Sequence, residues 1–227
     1  MSLEISGVDA WYGQAQVLFG VDMAVGPGEV VGVFGHNGAG KSTLLRTVAG
    51  VHRQAKGRIT DADADLLGLR ADTIARRGLY LVREGAKAFQ TLTVHENLQL
   101  GARLARRSGR QARAMEEIYD LFPLLADRRE TQAGLLSGGQ RQALALAVGY
   151  ASHATCLLLD EPSTGLAPSI VETVYEIISR LAEDGASLLI AEQNPDWLSH
   201  LATRGYLLET GSVAASGIPA SFLGTAH

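Results

Sequence analysis

Eight consecutive residues, Gly35-His36-Asn37-Gly38-Ala39-Gly40-Lys41-Ser42, fit the pattern G-x-x-x-x-G-K-[ST] at each fixed position. The chemistry that this spacing serves is phosphate binding. Glycines let successive backbone N–H groups curl around phosphate oxygens. A helix starting at the end of the loop aims its positive dipole end at the same anion. Lys41 adds a full charge near the β- and γ-phosphates, and Ser42 offers a hydroxyl ligand to Mg²⁺. A second candidate is the apolar run Cys156-Leu157-Leu158-Leu159, which ends in Asp160-Glu161-Pro162. A buried strand there delivers Asp160 beside the phosphate loop, where its carboxylate holds Mg²⁺ directly or through water. Glu161, one residue on, leaves the strand to face the γ-phosphate as general base for the attacking water. The third is Leu136-Ser137-Gly138-Gly139-Gln140, a serine and two glycines opening a helix, which again makes an anion site. It lies 137 − 41 = 96 residues after Lys41 and 160 − 137 = 23 before Asp160. A chain that already has one phosphate cradle points its second at a γ-phosphate held by another subunit.

The elements that must position these groups are legible around them. Residues 3–8, 17–25 and 30–34 are β-prone and separated by glycines. A helical pattern runs from about Gly40 to Ala49 and closes at Gly50. Residues 93–130 read mostly as helix, with Pro123 inside and an arginine-rich stretch, Arg103, Arg106, Arg107, Arg110 and Arg113, expected to be a solvated helix face. A helix over about 138–152, a buried strand over 156–160, a helix over 168–184 and a strand over 187–191 follow. Pro168 suits the first turn of its helix and Gly185 the end. Residues 206–209 and 212–215 flank Thr210-Gly211 as a hairpin. Such alternation predicts an α/β fold with a mainly parallel sheet and helices on both faces.

Bulk properties narrow the class. A chain of 227 residues suits one domain over 1–227, with room for a small helical lobe at about 90–150. It is 46% hydrophobic, enough for a core, yet no apolar run approaches the ~18 residues of a membrane span. The start, Met-Ser-Leu-Glu-Ile-Ser-Gly, has neither the basic nor the apolar stretch of a signal peptide, so a cytoplasmic location is expected. The single Cys156 excludes an internal disulfide. A net charge of −4 gives no basic excess to favour nucleic acid.

The ordered set, P-loop, Leu136-Ser137-Gly138-Gly139-Gln140 and Asp160-Glu161, resembles the ATP-binding cassette (ABC) family over nearly the whole chain. That resemblance implies a P-loop NTPase cassette with a parallel core, an N-terminal antiparallel β-subdomain and a helical subdomain. It implies ATP and Mg²⁺ as ligands, and two cassettes meeting head to tail around two ATPs. Each ATP would touch residues 35–42 and Thr43 of one subunit and Ser137, Gly138, Gly139 and Gln140 of the other. Tyr12, before Gly13, sits where the family stacks an aromatic on adenine, with Trp11 as the alternative. Ser163-Thr164-Gly165-Leu166-Ala167-Pro168 matches the loop that touches the other subunit.

Two positions differ from the general family pattern. Glu84, within Arg83-Glu84-Gly85, stands where a glutamine senses the γ-phosphate and faces the membrane partner, and the resemblance implies for it a catalytic role and a place with Ser42 and Asp160 among the Mg²⁺ ligands. Gln193, within Glu192-Gln193-Asn194, stands at the switch histidine. Glutamine donates and accepts hydrogen bonds but carries no proton, which assigns Gln193 a positioning role and leaves Glu161 as base. The Glu84–Gln193 pair, with Thr93-Val94-His95-Glu96-Asn97-Leu98 and Arg204-Gly205-Tyr206-Leu207-Leu208-Glu209, resembles the ATP-binding subunits of branched-chain amino-acid importers and their urea and amide relatives. That subgroup usually has proline at Arg83, Gly-Arg at Gly85-Ala86 and arginine at Val148, so this chain departs from it on the membrane-facing surface. The implied assembly is a pair of cassettes, identical or related, docked peripherally on the inner face of the membrane through permease subunits, with a substrate-binding protein as indirect partner. A soluble ABC ATPase that moves no cargo shares every one of these motifs. A chromosome-maintenance ATPase would need a long coiled coil where only 96 residues lie, and a nucleotide kinase would not carry Leu136 to Gln140.

Overall fold

The computed structural model describes residues 2–62, 64–85 and 87–222. Two sheets share the β content. The N-terminal one is antiparallel, in the order β2-β1-β4-β5, built from β1 (Leu3–Tyr12), β2 (Ala15–Val25), β4 (Ala55–Asp61) and β5 (Ala64–Asp65). Alternation drives it: Leu3, Ile5, Val8 and Ala10 point inward while their neighbours stay wet. The break from odd to even numbers falls where the β1–β2 register shifts, between Ile5 and Val8.

The six-stranded sheet runs β10-β9-β3-β8-β7-β6. Its members are β3 (Val30–Phe34), β6 (Leu79–Val82), β7 (Cys156–Asp160), β8 (Ser187–Glu192), β9 (Arg204–Glu209) and β10 (Ser212–Gly217). All neighbours are parallel except β9 and β10, which form the hairpin read from the sequence. Thr210 (φ 44°) and Gly211 (φ 84°) are both left-handed, as a two-residue turn matched to strand twist requires. Every residue of β3, β7 and β8 is buried, the mark of parallel strands covered on both faces. Alternate residues serve opposite layers. Val31, Val33, Leu158 and Leu189 pack with Leu44, Leu45 and Val48 of α1 (Lys41–Val48) and with the antiparallel sheet. Val30, Leu157, Leu159, Leu188 and Ile190 join the other core, with α6 (Gly138–Ala151) and α7 (Pro168–Glu183).

The stretch read as mostly helical, 93–130, breaks into α3 (Val94–Arg107), α4 (Met115–Leu121) and α5 (Pro123–Ala126). Thr93 and Glu96 form a reciprocal capping box at the start of α3. Pro123 opens α5 because its fixed φ and missing N–H suit only a first turn. Arg103, Arg106 and Arg107 do form an exposed face of α3. Arg110 and Arg113 do not, which corrects the expectation of one solvated helix face. They lie beyond the helix end and turn inward. Arg110 donates to the carbonyls of Ala75, Arg76 and Ser152, at the ends of α2 (Ala71–Arg77) and α6. Arg113 bridges Glu117 and Asp184. The elements β4, β5, α2 and β6, between residues 55 and 82, were not read from the sequence. Each is short, and β4 carries Lys56-Gly57-Arg58 on an exposed half. Among the described residues no helix is long and apolar enough to cross a membrane.

Candidate functional site

A cavity of about 430 Å³ opens at the C-terminal ends of the parallel strands, where ligands of open α/β sheets bind. Residues from five segments line it: Val17, Asn37 to Thr43 without Ala39, Glu84, Glu161 with Thr164, and Gln193. Nine residues singled out by sequence thus converge on one space. Its floor is the turn between β3 and α1. Gly38 (φ 84°) and Gly40 (φ 107°) hold left-handed conformations, and a Cβ on Gly40 would meet Leu18 Cδ2 at 2.8 Å. Glycine is therefore favoured there by the backbone, and a side chain would also have to displace the end of Leu18. The first turn of α1 carries no acidic residue of its own, so its N–H groups are left to face the cavity.

Lys41 is buried, and its ammonium is fixed by the Gly35 carbonyl (2.6 Å), the His36 carbonyl (3.2 Å) and Glu161 Oε1 (3.1 Å). Ser42 Oγ donates to Asp160 Oδ1 at 2.7 Å, which joins the loop to the end of β7. Burial pushes the Asp160 carboxyl above the usual range, against the Ser42 hydrogen bond and the Arg46 guanidinium, 3.6 Å from Oδ2. That Oδ2 is buried and accepts no hydrogen bond, with Arg46 as an ion-pair partner at 3.6 Å, so it keeps a lone pair free for a further cation. No group of three or more His, Cys, Asp or Glu side chains suited to a metal forms among the described residues. One hydroxyl and one carboxylate nevertheless fit Mg²⁺, which completes its shell with nucleotide phosphates and water.

Glu161 leaves the strand through a left-handed backbone (φ 48°), a conformation that costs a non-glycine residue about 1–3 kcal/mol. Its N–H donates to the Ala191 carbonyl at 3.0 Å, and Thr164 Oγ1 donates to its Oε2 at 2.9 Å. The carboxylate is thereby turned out of the β7 line and into the cavity. Glu84 and Gln193 are exposed on the facing wall. Directly before Gln193 stands a buried acid that sequence reasoning passed over. Glu192 takes the Ser163 N–H (3.1 Å) and the Tyr175 hydroxyl (2.7 Å) on Oε1, and the Gln193 N–H (3.2 Å) on Oε2. Burial pushes its carboxyl above the ordinary range despite these donors. Its signal was present: like Asp160, it is an acid ending an otherwise apolar strand.

The remaining predicted residues lie elsewhere. Gly35 and His36 border a small cleft beside Gln193 and Phe222. Ala39 is buried under the loop. Ser137 caps α6, accepting the Gln140 N–H, while Gln140 Oε1 accepts the Ser137 N–H. Gly138, Gly139 and this cap are not part of the 430 Å³ cavity. Tyr12 also stands outside it, half exposed at the end of β1 with its ring 4.4 Å from that of His52. Trp11 is half-buried under Lys56, whose Nζ is 5.6 Å from the ring. Val17 completes the lining without an assigned role, and Thr164 comes from the loop expected to touch the other subunit. Of the departures from the importer subgroup, Arg83 and Val148 share a groove with Phe89 and Leu100, and Ala86 lies outside the described residues.

The family model described as ABC transporter matches residues 18–164. The chain belongs to the ABC transporter family. This cassette is an ATPase of that family, and curated relatives match it over almost its whole length. It is 40% identical over 97% of its length to the high-affinity branched-chain amino acid transport ATP-binding protein BraG of Pseudomonas aeruginosa, covering 94% of that protein. A probable branched-chain amino acid transport ATP-binding protein, LivF, of Archaeoglobus fulgidus is 32% identical over 92% of the chain and 89% of its own length. In fold it matches the dimeric post-hydrolysis ATP-binding cassette MJ0796, bound to ADP and Pi, with a TM-score of 0.83 at 22% identity, over 96% of this chain and 98% of that one.

Proposed function

We propose that this ABC cassette hydrolyses Mg·ATP as one of a head-to-tail pair and drives an importer for branched-chain amino acids or a related small polar solute. The convergence of Lys41, Ser42, Glu84, Glu161 and Gln193 on one cavity carries the reading. Asn37 to Thr43 cradle the phosphates, with Lys41 as the fixed charge. Ser42, Asp160 and Glu84 would hold Mg²⁺, which would supply positive charge to offset the negative charge of the phosphates. Glu161 polarises the attacking water, and Gln193 positions the γ-phosphate. The capped Ser137-Gly138-Gly139-Gln140 end of α6 reaches the partner's nucleotide. Tyr12, half exposed at the end of β1, stacks on adenine.

The cargo reading is supported by the relatives' printed functions and by the Glu84–Gln193 pair. The groove beside Arg83, Phe89 and Val148 suits a permease: Phe89 is 64% exposed there, among apolar residues such as Leu100 and Val148 and the polar Arg83, Lys87 and Asn97. Docking there places the cassette peripherally on the membrane's inner face, with a substrate-binding protein acting through the permease.

Glu161→Gln tests the site. The variant should bind ATP, accumulate as an ATP-bound dimer on size exclusion and lose about 10²-fold or more in turnover. Turnover near wild type would overturn the base assignment. Recovery of the cassette from native membranes in mild detergent tests the rest. Companion polytopic subunits and a branched-chain amino-acid-binding protein are expected. Soluble companions alone would overturn the importer.

A further inference from the structure

Glu192 joins two loops that both line the cavity. Its carboxylate is 2% exposed at the end of β8. On one side Oε1 takes the Ser163 N–H, two residues after Glu161. On the other, Oε2 takes the N–H of Gln193. A third donor, the Tyr175 hydroxyl, comes from α7 and fixes the Oε1 end. The Tyr175 ring in turn stacks on Trp197 at 6.0 Å and 10°, so the segment after Gln193 leans on the same post. Residues 161–164 and 193–197 are not neighbours in sequence, and they meet through this one carboxyl group.

A buried carboxylate taking three donors is a rigid junction, since each lost donor leaves charge uncompensated. We propose that Glu192 is a positioning residue for hydrolysis: it sets the loop carrying Glu161 and Thr164 and the Gln193 backbone in one fixed relation. The water-activating group and the γ-phosphate-facing group are then aligned by the same atom pair. Glu192 touches no nucleotide, so it acts on turnover rather than on ATP affinity. Because Ser163 also begins the loop that faces the other subunit, closure of the pair reaches Gln193 through Glu192. This inference rests on the roles proposed above for Glu161 and Gln193.

The donor pattern predicts a graded series. Glu192→Ala frees both loops. Glu192→Gln keeps an acceptor for Ser163 and Tyr175, but sets an NH₂ donor against the Gln193 N–H. Tyr175→Phe removes one donor and leaves both loops tied. The test is steady-state ATPase activity of the purified full chain, with ATP affinity from equilibrium titration and melting temperature alongside. We expect kcat to fall about 10²-fold in Glu192→Ala, the scale of an ångström's misplacement. It should fall less in Glu192→Gln and least in Tyr175→Phe, with ATP affinity within about twofold of wild type throughout. Wild-type kcat in Glu192→Ala overturns the proposal, as does a loss of ATP affinity that matches the loss of rate. Should Glu192→Ala fail to fold, Glu192→Gln decides: full kcat overturns the proposal, and reduced kcat at unchanged affinity sustains it. Glu161→Gln measured in the same assay separates the two readings. If that variant keeps turnover, the site assignment fails; if it is dead while the Glu192 series is normal, the Glu192 inference fails by itself.

Discussion

Arg113 offers a measurable test of how the helical segments are held to the parallel core. Its guanidinium lies 3.8 Å from the Tyr150 ring centroid and donates to Glu117 Oε1 and Asp184 Oδ2, both at 2.5 Å. Glu117 belongs to α4, Tyr150 to α6, and Asp184 follows the last turn of α7, so one side chain ties three elements. The Arg113 side chain is only 18% exposed, whereas both carboxylates are nearly half exposed. Solvent-screened pairs of that kind contribute about 0.5 kcal/mol each, and the partly buried cation–π contact about 1 kcal/mol. The sum is about 2 kcal/mol. For a chain of this size each kcal/mol moves the melting point by about 2–4 °C, so Arg113→Ala should lower it by about 4–8 °C. Arg107→Ala, on the exposed face of α3, should leave it within about 1 °C. Thermal melts followed by circular dichroism decide between them. Added salt should narrow the gap as it screens the two pairs, and leave the ring contact's share. Equal melting of the two variants would refute the reasoning, and would return Arg113 to the solvated class in which the sequence placed it.

Gly101, where α3 crosses α6, has no space for a methyl group: a Cβ would lie 2.5 Å from the Val148 carbonyl oxygen, a backbone atom that cannot swing aside. Gly101→Ala should therefore destabilise the chain by about 1–3 kcal/mol in urea titration despite alanine's better helix propensity; a stabilised variant would show that the two helices separate freely. Tyr12→Ala should weaken ATP binding roughly 5- to 100-fold, the scale of one base–aromatic stack, and unchanged affinity in a calorimetric titration would end that assignment. Burial holds the Glu192 carboxyl above its ordinary value of 4.5, so the native state binds that proton more tightly than the unfolded chain. The stability this group contributes is complete below pH 4.5 and is lost as pH rises through the raised native value. Melting temperature in Glu192→Gln should accordingly fall less with rising pH above 4.5 than in wild type; Asp160, raised in the same sense, is common to both proteins and cancels. Parallel profiles would place the Glu192 carboxyl in its ordinary range.

What was legible in the sequence was whatever a short window contains. The turn of residues 35–42 is specified locally, because the glycines, the lysine and the start of α1 lie within one loop. The strands β3, β7 and β8 announce themselves as apolar runs bounded by turns, since burial on both faces demands nothing else. The Thr210-Gly211 hairpin is likewise a two-residue decision. The convergence of Glu84 and Gln193 with Lys41 on one cavity is different in kind. It needed a family resemblance to anticipate and the folded sheet to produce, because β6 and β8, whose C-terminal ends lead into these residues, flank β7 only after chain crossovers. Charge proved the least legible property. Arg106 and Arg113 sit in one arginine-rich run, yet only the second finds acids, one of them 71 residues away. Glu192 reads as part of a switch tripeptide, yet its partners are a backbone amide 29 residues earlier and a tyrosine on another helix. Periodicity records which face a residue occupies, and it contains no term for which distant donor will arrive there. A buried acid at the end of an apolar strand is nevertheless a usable signal. Two such acids occur here, at the ends of the adjacent parallel strands β7 and β8, and each is bound to a loop that faces the nucleotide cavity: Asp160 to Ser42, Glu192 to Ser163. The desolvation that makes such a carboxyl expensive also makes its donors hard to displace, so strand ends of this kind mark where this fold fixes its chemistry.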